Sequence, residues 1–226
     1  MARLRTAVLI SGRGSNMQAL IEECNRSNSA AEIALVISNT NDAPGLSLAA
    51  EFGLNYDVID HTDFPNREQF EEALTNRLML SGVEFVCLAG FMRILTKKFV
   101  DRWYNKLINI HPSLLPAYPG LYTHERAISD DTKFAGCTVH YVRVGVDSGP
   151  IIIQTAIPIL VNDTPETLAS RVLEEEHKCY AFALREIALG NIYVEDEKVQ
   201  FNGVLQPQRG VANPDSSTNT SDETGT

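Results

Sequence analysis

The first half of the chain alternates short, uniformly apolar runs with longer segments whose apolar residues recur every three or four positions. The apolar runs predict strands that are buried on both faces, at residues 6–10, 33–37, 55–59, 85–89 and 107–111. The segments between them predict helices. Because strands alternate with helices, the pattern indicates an α/β fold with a doubly wound, mostly parallel sheet and right-handed crossovers.

The pattern changes after the fifth predicted strand. Residues 136–144 alternate apolar and polar side chains, which is typical of a strand with one face open to solvent. Residues 150–154 and 157–159 predict an antiparallel partner for it. The sheet is therefore expected to be mixed, with an antiparallel extension toward the C-terminus.

The C-terminal quarter predicts a long helix, a small hairpin and a tail. Thr164-Pro165-Glu166 is typical of a helix start, and the helical pattern ends near Leu189. Residues 192–194 and 199–201 predict the two strands of the hairpin. We expect one folded domain over residues 1–204, followed by a polar, disordered tail over 205–226.

Composition narrows the possible functions. The net charge of −10 and the absence of a Lys/Arg cluster disfavour a nucleic-acid partner. No apolar stretch approaches the roughly 20 residues needed to cross a membrane, and the N-terminus enters a strand instead of a signal peptide. The four cysteines lie far apart, without metal-type spacing, and are expected to be reduced thiols. We expect a cytoplasmic protein that binds no metal.

The clearest candidate chemistry lies at the end of the fifth predicted strand, which stops at Pro112. Asn109 and His111 are two residues apart, so their side chains should share a face at the strand tip, where open α/β sheets bind ligands. Asp147 lies in a later turn. An amide can polarise a carbonyl, an imidazole can move a proton and a carboxylate can orient the imidazole. Taken singly such residues are more often structural, but the loop rich in Pro and Gly after His111 favours a site.

Two further loops allow a functional and a structural interpretation. The segment Ser11-Gly12-Arg13-Gly14-Ser15-Asn16 joins a strand to a helix and could cradle a simple phosphate, or could be a tight turn with Ser15 as the helix N-cap. The apolar loop Gly90 to Leu95 either packs under another element or lines a pocket for a flat ligand. His140 is expected to be a structural histidine.

Five stretches together resemble the phosphoribosylglycinamide formyltransferase family, from about Thr6 to Gln206. They are Ile10 to Asn16, Leu88 to Leu95, Asn109 to Pro116, Tyr118 to Leu121, and Asp147 to Pro150. The motif around His111 is shared with the wider formyltransferase and formyl-hydrolase superfamily, and the phosphate loop narrows the resemblance.

The resemblance implies transfer of a formyl group from 10-formyltetrahydrofolate to the amine of 5-phosphoribosylglycinamide, in purine synthesis. It implies that His111 is the general acid and base, that Asn109 holds the formyl oxygen and that Asp147 charges His111. The acceptor residues implied are Gly12, Arg13, Gly14, Ser15, Asn16, Gly120 and Glu176. The folate residues implied are Arg67, Met92, Arg93, Ile94, Leu95, Asn109, Arg143, Val144, Gly145 and Val146.

The partners expected are these two small molecules, without nucleic acid, membrane or metal, and the chain is expected to be a monomer or a weak homodimer. Two alternatives stay open. The first is a superfamily relative. A formyltetrahydrofolate hydrolase would use water as the acceptor but would normally carry an additional regulatory domain, and a methionyl-tRNA formyltransferase would carry a further C-terminal domain and a basic surface. A sugar-phosphate-binding domain without catalysis would have no need for Asn109, His111 and Asp147 together.

Overall fold

The structure, a computed structural model, describes residues 2–202, so the predicted tail at 205–226 lies outside the described residues. The centre of the fold is a seven-stranded sheet in the order β3-β2-β1-β4-β5-β6-β7. The first five strands are parallel and the last two antiparallel, which confirms the predicted mixed α/β sheet. The strands are β1 Leu4–Ile10, β2 Ala31–Ser38, β3 Tyr56–Val58, β4 Phe85–Leu88, β5 Leu107–His111, β6 Phe134–Tyr141 and β7 Ile151–Pro158.

Helices cover both faces of this sheet. They are α1 Ser15–Cys24, α2 Gly45–Glu51, α3 Arg67–Leu80, α4 Lys97–Arg102, α5 Thr123–Ser129 and α6 Pro165–Ala188, with a 3-10 turn at His61–Asp63. Successive side chains of a strand point to opposite faces, so β1 serves two cores. Val8 and Ile10 pack with α1 and α6, whereas Ala7 and Leu9 pack with α3 and α4.

Side chains at the helix starts explain where three helices begin. Asn66 accepts a hydrogen bond from the backbone N–H of Gln69 at α3, and Thr96 accepts one from Phe99 at α4. Thr164 caps α6, with Pro165 in its first turn, as predicted from the sequence. The predicted bounds of α3 and β5 are confirmed to the residue.

Helix α6 is anchored to the sheet by a tyrosine. The side chain of Tyr180 is fully buried, and its hydroxyl donates to the carbonyl oxygen of Leu88 at 2.9 Å while lying 3.3 Å from that of Ile108. Burial raises the pKa of Tyr180 well above its ordinary value, so this hydroxyl keeps its proton. The helix is thereby fixed to the last residue of β4 and to the second residue of β5.

Some sequence expectations are wrong. Strand β6 is buried on both faces instead of having one exposed face, because the loop after His111 covers Thr138 and the Asn109 side chain lies against His140. By contrast, the predicted antiparallel partner of β6 is confirmed as one continuous strand, β7. Ser15 is the first residue of α1 and not its N-cap, which is Gly14 at φ 77°. Helix α5 escaped prediction, since it follows Tyr122 without a capping side chain.

The predicted terminal hairpin is confirmed. Strands β8 Ile192–Glu195 and β9 Lys198–Phe201 form a separate two-stranded sheet. Ile192 is buried, and the apolar side chains of Val194, Val199 and Phe201 pack against the core that α6 covers. Within residues 2–202, no helix has the length and apolar character needed to span a membrane.

Candidate active site

His111 and Asp147 meet at the carboxyl end of β5. The Nδ1 atom of His111 lies 3.3 Å from Oδ2 of Asp147, and both side chains are largely buried. The other ring nitrogen, Nε2, lies 2.9 Å from the carbonyl oxygen of Tyr118. Both ring nitrogens therefore lie beside oxygen atoms, Nε2 near a carbonyl and Nδ1 near a carboxylate. In this arrangement the carboxylate can orient the ring while Nε2 takes part in proton transfer.

Asp147 is held in place by backbone groups. It lies in the loop between β6 and β7 with φ 48°, and its Oδ2 accepts a hydrogen bond of 2.7 Å from the N–H of Gly120. The loop is closed where Arg143 N–H donates to the Ser148 carbonyl at 3.1 Å. Gly149 follows because a Cβ there would lie 2.0 Å from the carbonyl oxygen of Tyr141. These contacts fix the carboxylate beside His111.

Asn109 contacts a second histidine. Its Nδ2 lies 3.4 Å from Nε2 of His140, whose Nδ1 lies 3.0 Å from the carbonyl oxygen of Tyr141. A carbonyl can only accept, so Nδ1 carries the proton and Nε2 accepts from the amide. Burial lowers the pKa of His140, which keeps this ring neutral. His140 thus has satisfied hydrogen bonds, as expected, and its ring also orients the amide of Asn109.

The loop after His111 rests on two side chains from the antiparallel strands. The Thr138 hydroxyl donates to the carbonyl of Ser113 at 2.6 Å and accepts from Leu115 N–H at 3.1 Å. Gln154 donates from Nε2 to the carbonyl of Leu115 at 2.8 Å and to Thr138 at 2.9 Å. Neither residue was singled out in the sequence, because no signal short of the strand register places them under this loop.

The glycine loop contacts α6 from a distant part of the chain. Asn16 donates from Nδ2 to Oε2 of Glu176 at 2.6 Å, across 160 positions. The Oδ1 atom of Asn16 is buried without a hydrogen-bond partner among residues 2–202. Burial raises the pKa of Glu176, an effect that the Asn16 hydrogen bond opposes. The structure therefore joins two of the predicted acceptor-binding segments.

The glycine loop is also bonded to the apolar loop. The Ser11 hydroxyl donates to Oδ1 of Asn39 at 2.5 Å and accepts from the backbone N–H of Met92 at 2.8 Å. Gly14, at φ 77°, could not be replaced without crowding, since a Cβ would lie 3.1 Å from Cα of Gly45. The glycine loop, predicted to bind phosphate, is thus fixed next to the apolar loop, predicted to bind folate.

The apolar loop contains both packed and exposed residues, so the packing interpretation is confirmed for part of it. Phe91 is buried in the core beside α3 and α4, and Leu95 packs against that core. Met92 and Ile94 are more than half exposed, as are Val144 and Val146 of the loop that carries Asp147. Arg67 donates from Nη1 to the carbonyl of Ile94 at 3.2 Å, and Arg93 is exposed.

Two of the residues predicted to bind substrates already make hydrogen bonds within the protein. The backbone N–H of Gly120 is bonded to Asp147, as described above. The guanidinium of Arg143 lies against the C-terminal hairpin, where its Nε donates to Oε2 of Glu197 at 2.7 Å. In the described part of the chain, no group of three or more His, Cys, Asp or Glu side chains is arranged to hold a metal ion.

Comparison with known proteins identifies the family to which this chain belongs. The formyl transferase family matches residues 4–184, so the chain belongs to that family. Within the family, its similarity runs to the phosphoribosylglycinamide formyltransferases, which confirms the resemblance found in the sequence. It is 38% identical over 209 residues to the phosphoribosylglycinamide formyltransferase of Haemophilus influenzae, covering 92% of this chain and 99% of that protein.

A solved structure and a longer relative agree with this assignment. The crystal structure of glycinamide ribonucleotide transformylase 1 from Symbiobacterium toebii matches with a TM-score of 0.86 and 44% identity, over 88% of this chain and 94% of that one. The trifunctional purine biosynthetic protein adenosine-3 of Drosophila pseudoobscura pseudoobscura is 52% identical over 190 residues, which are 83% of this chain. The chain spans only 14% of the length of that relative.

Proposed function

We propose that this chain transfers a formyl group from 10-formyltetrahydrofolate to the amine of 5-phosphoribosylglycinamide, as a step of purine synthesis, and releases tetrahydrofolate. The observation that carries the proposal is the set Asn109, His111 and Asp147 at the carboxyl end of β5, on the same edge of the sheet as the glycine loop after β1 and the partly exposed apolar loop after β4. The names of the similar proteins support it, since they include phosphoribosylglycinamide formyltransferases.

The catalytic roles follow from the hydrogen-bonding capacity of each group. As the acceptor amine attacks the formyl carbon, the formyl oxygen gains negative charge, and the Asn109 amide and the His111 imidazolium are the available donors. Removing one such donor typically lowers the rate by about 10² to 10³. The amine loses a proton and the leaving folate nitrogen gains one, a transfer that His111 can carry out as acid and base. Asp147 stabilises the imidazolium throughout.

The structure adds a condition to this mechanism. The N–H at Nε2 of His111 is directed at the carbonyl of Tyr118 at 2.9 Å. A substrate oxygen or nitrogen must therefore replace that carbonyl as the acceptor before His111 can act. The Tyr118 carbonyl would move away from Nε2 when the acceptor binds, while Gly120, which borders the acceptor site in this proposal, would keep its hydrogen bond to Asp147.

The acceptor would lie between the glycine loop and α6. Backbone N–H groups from Gly12 to Asn16 would bind its phosphate, because glycines allow a close approach of the backbone to an anion. Glu176 would accept hydrogen bonds from the ribose hydroxyls. The buried Oδ1 of Asn16 supports this placement, since it is an acceptor left without a partner among the described residues.

The folate would lie on the other side of His111, against exposed apolar side chains. Met92 and Ile94 face it from one loop and Val144 and Val146 from the other. Flat, largely apolar ligands bind to such surfaces with a few polar groups that fix orientation. Arg67, Arg93, Leu95 and Gly145 would border this site, and Arg143 would contribute its backbone, because its guanidinium is engaged with Glu197.

The remaining properties are proposed on general grounds. Acid–base and hydrogen-bonding groups suffice for the reaction, so we propose that it needs no metal. Four free cysteines, all buried, suit a reducing compartment, which supports a cytoplasmic location. We propose that residues 1–204 act as one formyltransferase domain, as a monomer or weak homodimer.

The test is an absorbance assay that follows the loss of a 10-formylated folate analogue, with and without phosphoribosylglycinamide. Turnover that requires the acceptor supports the transferase. Turnover at a similar rate without it would mean that water is the acceptor and that the chain is a hydrolase. His111→Ala should abolish turnover and leave acceptor binding within a few-fold. His177→Ala serves as the matched control, because His177 contacts none of the three catalytic side chains.

A further inference from the structure

The loop that carries Asp147 begins at Arg143, and the side chain of Arg143 is held by groups outside that loop. Its Nε donates to Oε2 of Glu197 at 2.7 Å, and its Nη2 donates to Oε1 of Glu197 at 3.2 Å and to Oδ1 of Asn105 at 2.6 Å. The guanidinium lies over the ring of Tyr104, 4.1 Å from the ring centroid. The Tyr104 hydroxyl in turn donates to Oε1 of Glu197.

The two residues that bind Nη2 both occupy a backbone conformation that favours glycine. Asn105 has φ 55° and Glu197 has φ 58°. Glu197 lies with Asp196 in the turn between β8 and β9, where both central residues have positive φ and glycine is the preferred residue. A strained position occupied by a residue with a long side chain points to a use for that side chain. Here the use is the bidentate contact with Arg143.

Arg143 connects these side-chain contacts to both ends of the loop that carries Asp147. Its backbone N–H donates to the carbonyl of Ser148 at 3.1 Å, which closes the loop around Asp147. Its Cγ packs against Gly149, where an added Cβ would lie 3.0 Å away. The position of the loop relative to His111 therefore depends on where the Arg143 side chain is held.

We propose that Glu197, supported by Tyr104 and Asn105, is a positioning residue for formyl transfer, which clamps Arg143 and thereby sets the distance between Asp147 and His111. The clamp joins the C-terminal hairpin, which lies beyond the residues 4–184 matched by the family, to the catalytic loop. This proposal rests on the proposed function for its kinetic consequence, while its structural consequence does not depend on activity.

The experiment compares Glu197→Gly with Asp196→Gly in the full chain. Both substitutions give the turn its preferred residue, so neither is expected to unfold the hairpin, but only Glu197→Gly removes the carboxylate that binds Arg143. We expect Glu197→Gly to lower kcat by about tenfold or more, because small displacements of catalytic groups are costly. The KM for phosphoribosylglycinamide should stay within about twofold, since the glycine loop is untouched. Asp196→Gly should keep the parental kcat.

A second measurement follows the loop itself. Hydrogen–deuterium exchange of the amides from 143 to 149 should become faster in Glu197→Gly and stay parental in Asp196→Gly. Tyr104→Phe, which removes one hydroxyl and keeps the ring under the guanidinium, should give a smaller change of the same sign. Parental kcat and parental exchange in Glu197→Gly would overturn the clamp. If the parent protein itself shows no formyl transfer, the proposed function fails, and the exchange comparison still decides the clamp.

Discussion

Asp147→Asn keeps the shape of the side chain beside His111 and removes its charge. At the observed 3.3 Å, opposite unit charges attract by about 5 kcal/mol with an effective dielectric constant of about 20. That figure omits the cost of removing both groups from water, and hydrogen bonds to charged groups contribute about 1.5–3 kcal/mol net. The side chains are 7% and 12% exposed, so little solvent screening reduces this contribution. We therefore expect kcat to fall by about 10- to 100-fold.

The assay is steady-state formyl transfer with both substrates saturating, together with the KM for phosphoribosylglycinamide. That KM should change by no more than about threefold, because Asp147 does not contact the glycine loop. Asp57→Asn is the matched control. Asp57 binds Arg77 at 2.7 Å, and both side chains are more than a third exposed, so its loss should affect neither kcat nor stability by a large amount. A folded Asp147→Asn variant with kcat within twofold of the parent would refute the reasoning.

Three further predictions concern affinity and stability. Burial raises the pKa of Glu176 above 4.5, so the neutral carboxyl contributes stability that is fully present below pH 4.5 and lost as the pH rises through the raised value. Glu176→Gln should therefore melt at a higher temperature than the parent at pH 8 but not at pH 4. It should also raise the KM for phosphoribosylglycinamide about tenfold. Melting temperatures of variant and parent that are equal at both pH values would contradict the stability prediction. Gly136→Ala should lower the free energy of unfolding by about 3 kcal/mol or more, since its Cβ would lie 1.9 Å from the Thr155 carbonyl oxygen, and urea denaturation would measure it. Thr138→Val should lower the free energy of unfolding by about 1–3 kcal/mol, because it removes the hydroxyl that accepts from Gln154 and donates to the carbonyl of Ser113. Urea unfolding at the parental midpoint would show that the hydroxyl is dispensable.

The parallel half of the fold could be predicted because its signals are local. Strand β5 and helix α3 have predicted and observed bounds that agree, since each is a clear apolar pattern ended by a proline or a glycine. The failures occur where distant segments decide the outcome. The alternation in β6 suggested one exposed face, yet the loop after His111 bonds to Thr138, and Asn109 of β5 bonds to His140. No pattern within β6 contains that information.

The same division applies to the site. Asn109, His111 and Asp147 could be singled out because their side chains suit carbonyl chemistry and a loop rich in Pro and Gly follows His111, and the structure brings His111 and Asp147 together. The contact between Asn16 and Glu176 could be inferred only through the family resemblance, since the two residues are far apart in the chain. The roles of His140 and Glu197 required coordinates, because each acts on a neighbour in space that the sequence does not identify.

The buried hydroxyl of Tyr180 has a consequence for substrate geometry. Tyr180 follows Glu176 by one helical turn, so the two side chains lie on the same side of α6. The tyrosine is bonded to the carbonyl of Leu88, the last residue of β4, and lies near that of Ile108, one residue before Asn109 in β5. The Glu176 carboxylate, proposed to bind the ribose, and the Asn109 amide, proposed to bind the formyl oxygen, therefore belong to one rigid unit of helix and sheet. Because α6 and the sheet are fixed to each other, the distance between Glu176 and Asn109 is fixed as well. That distance selects an acceptor by the separation between its sugar and its amine.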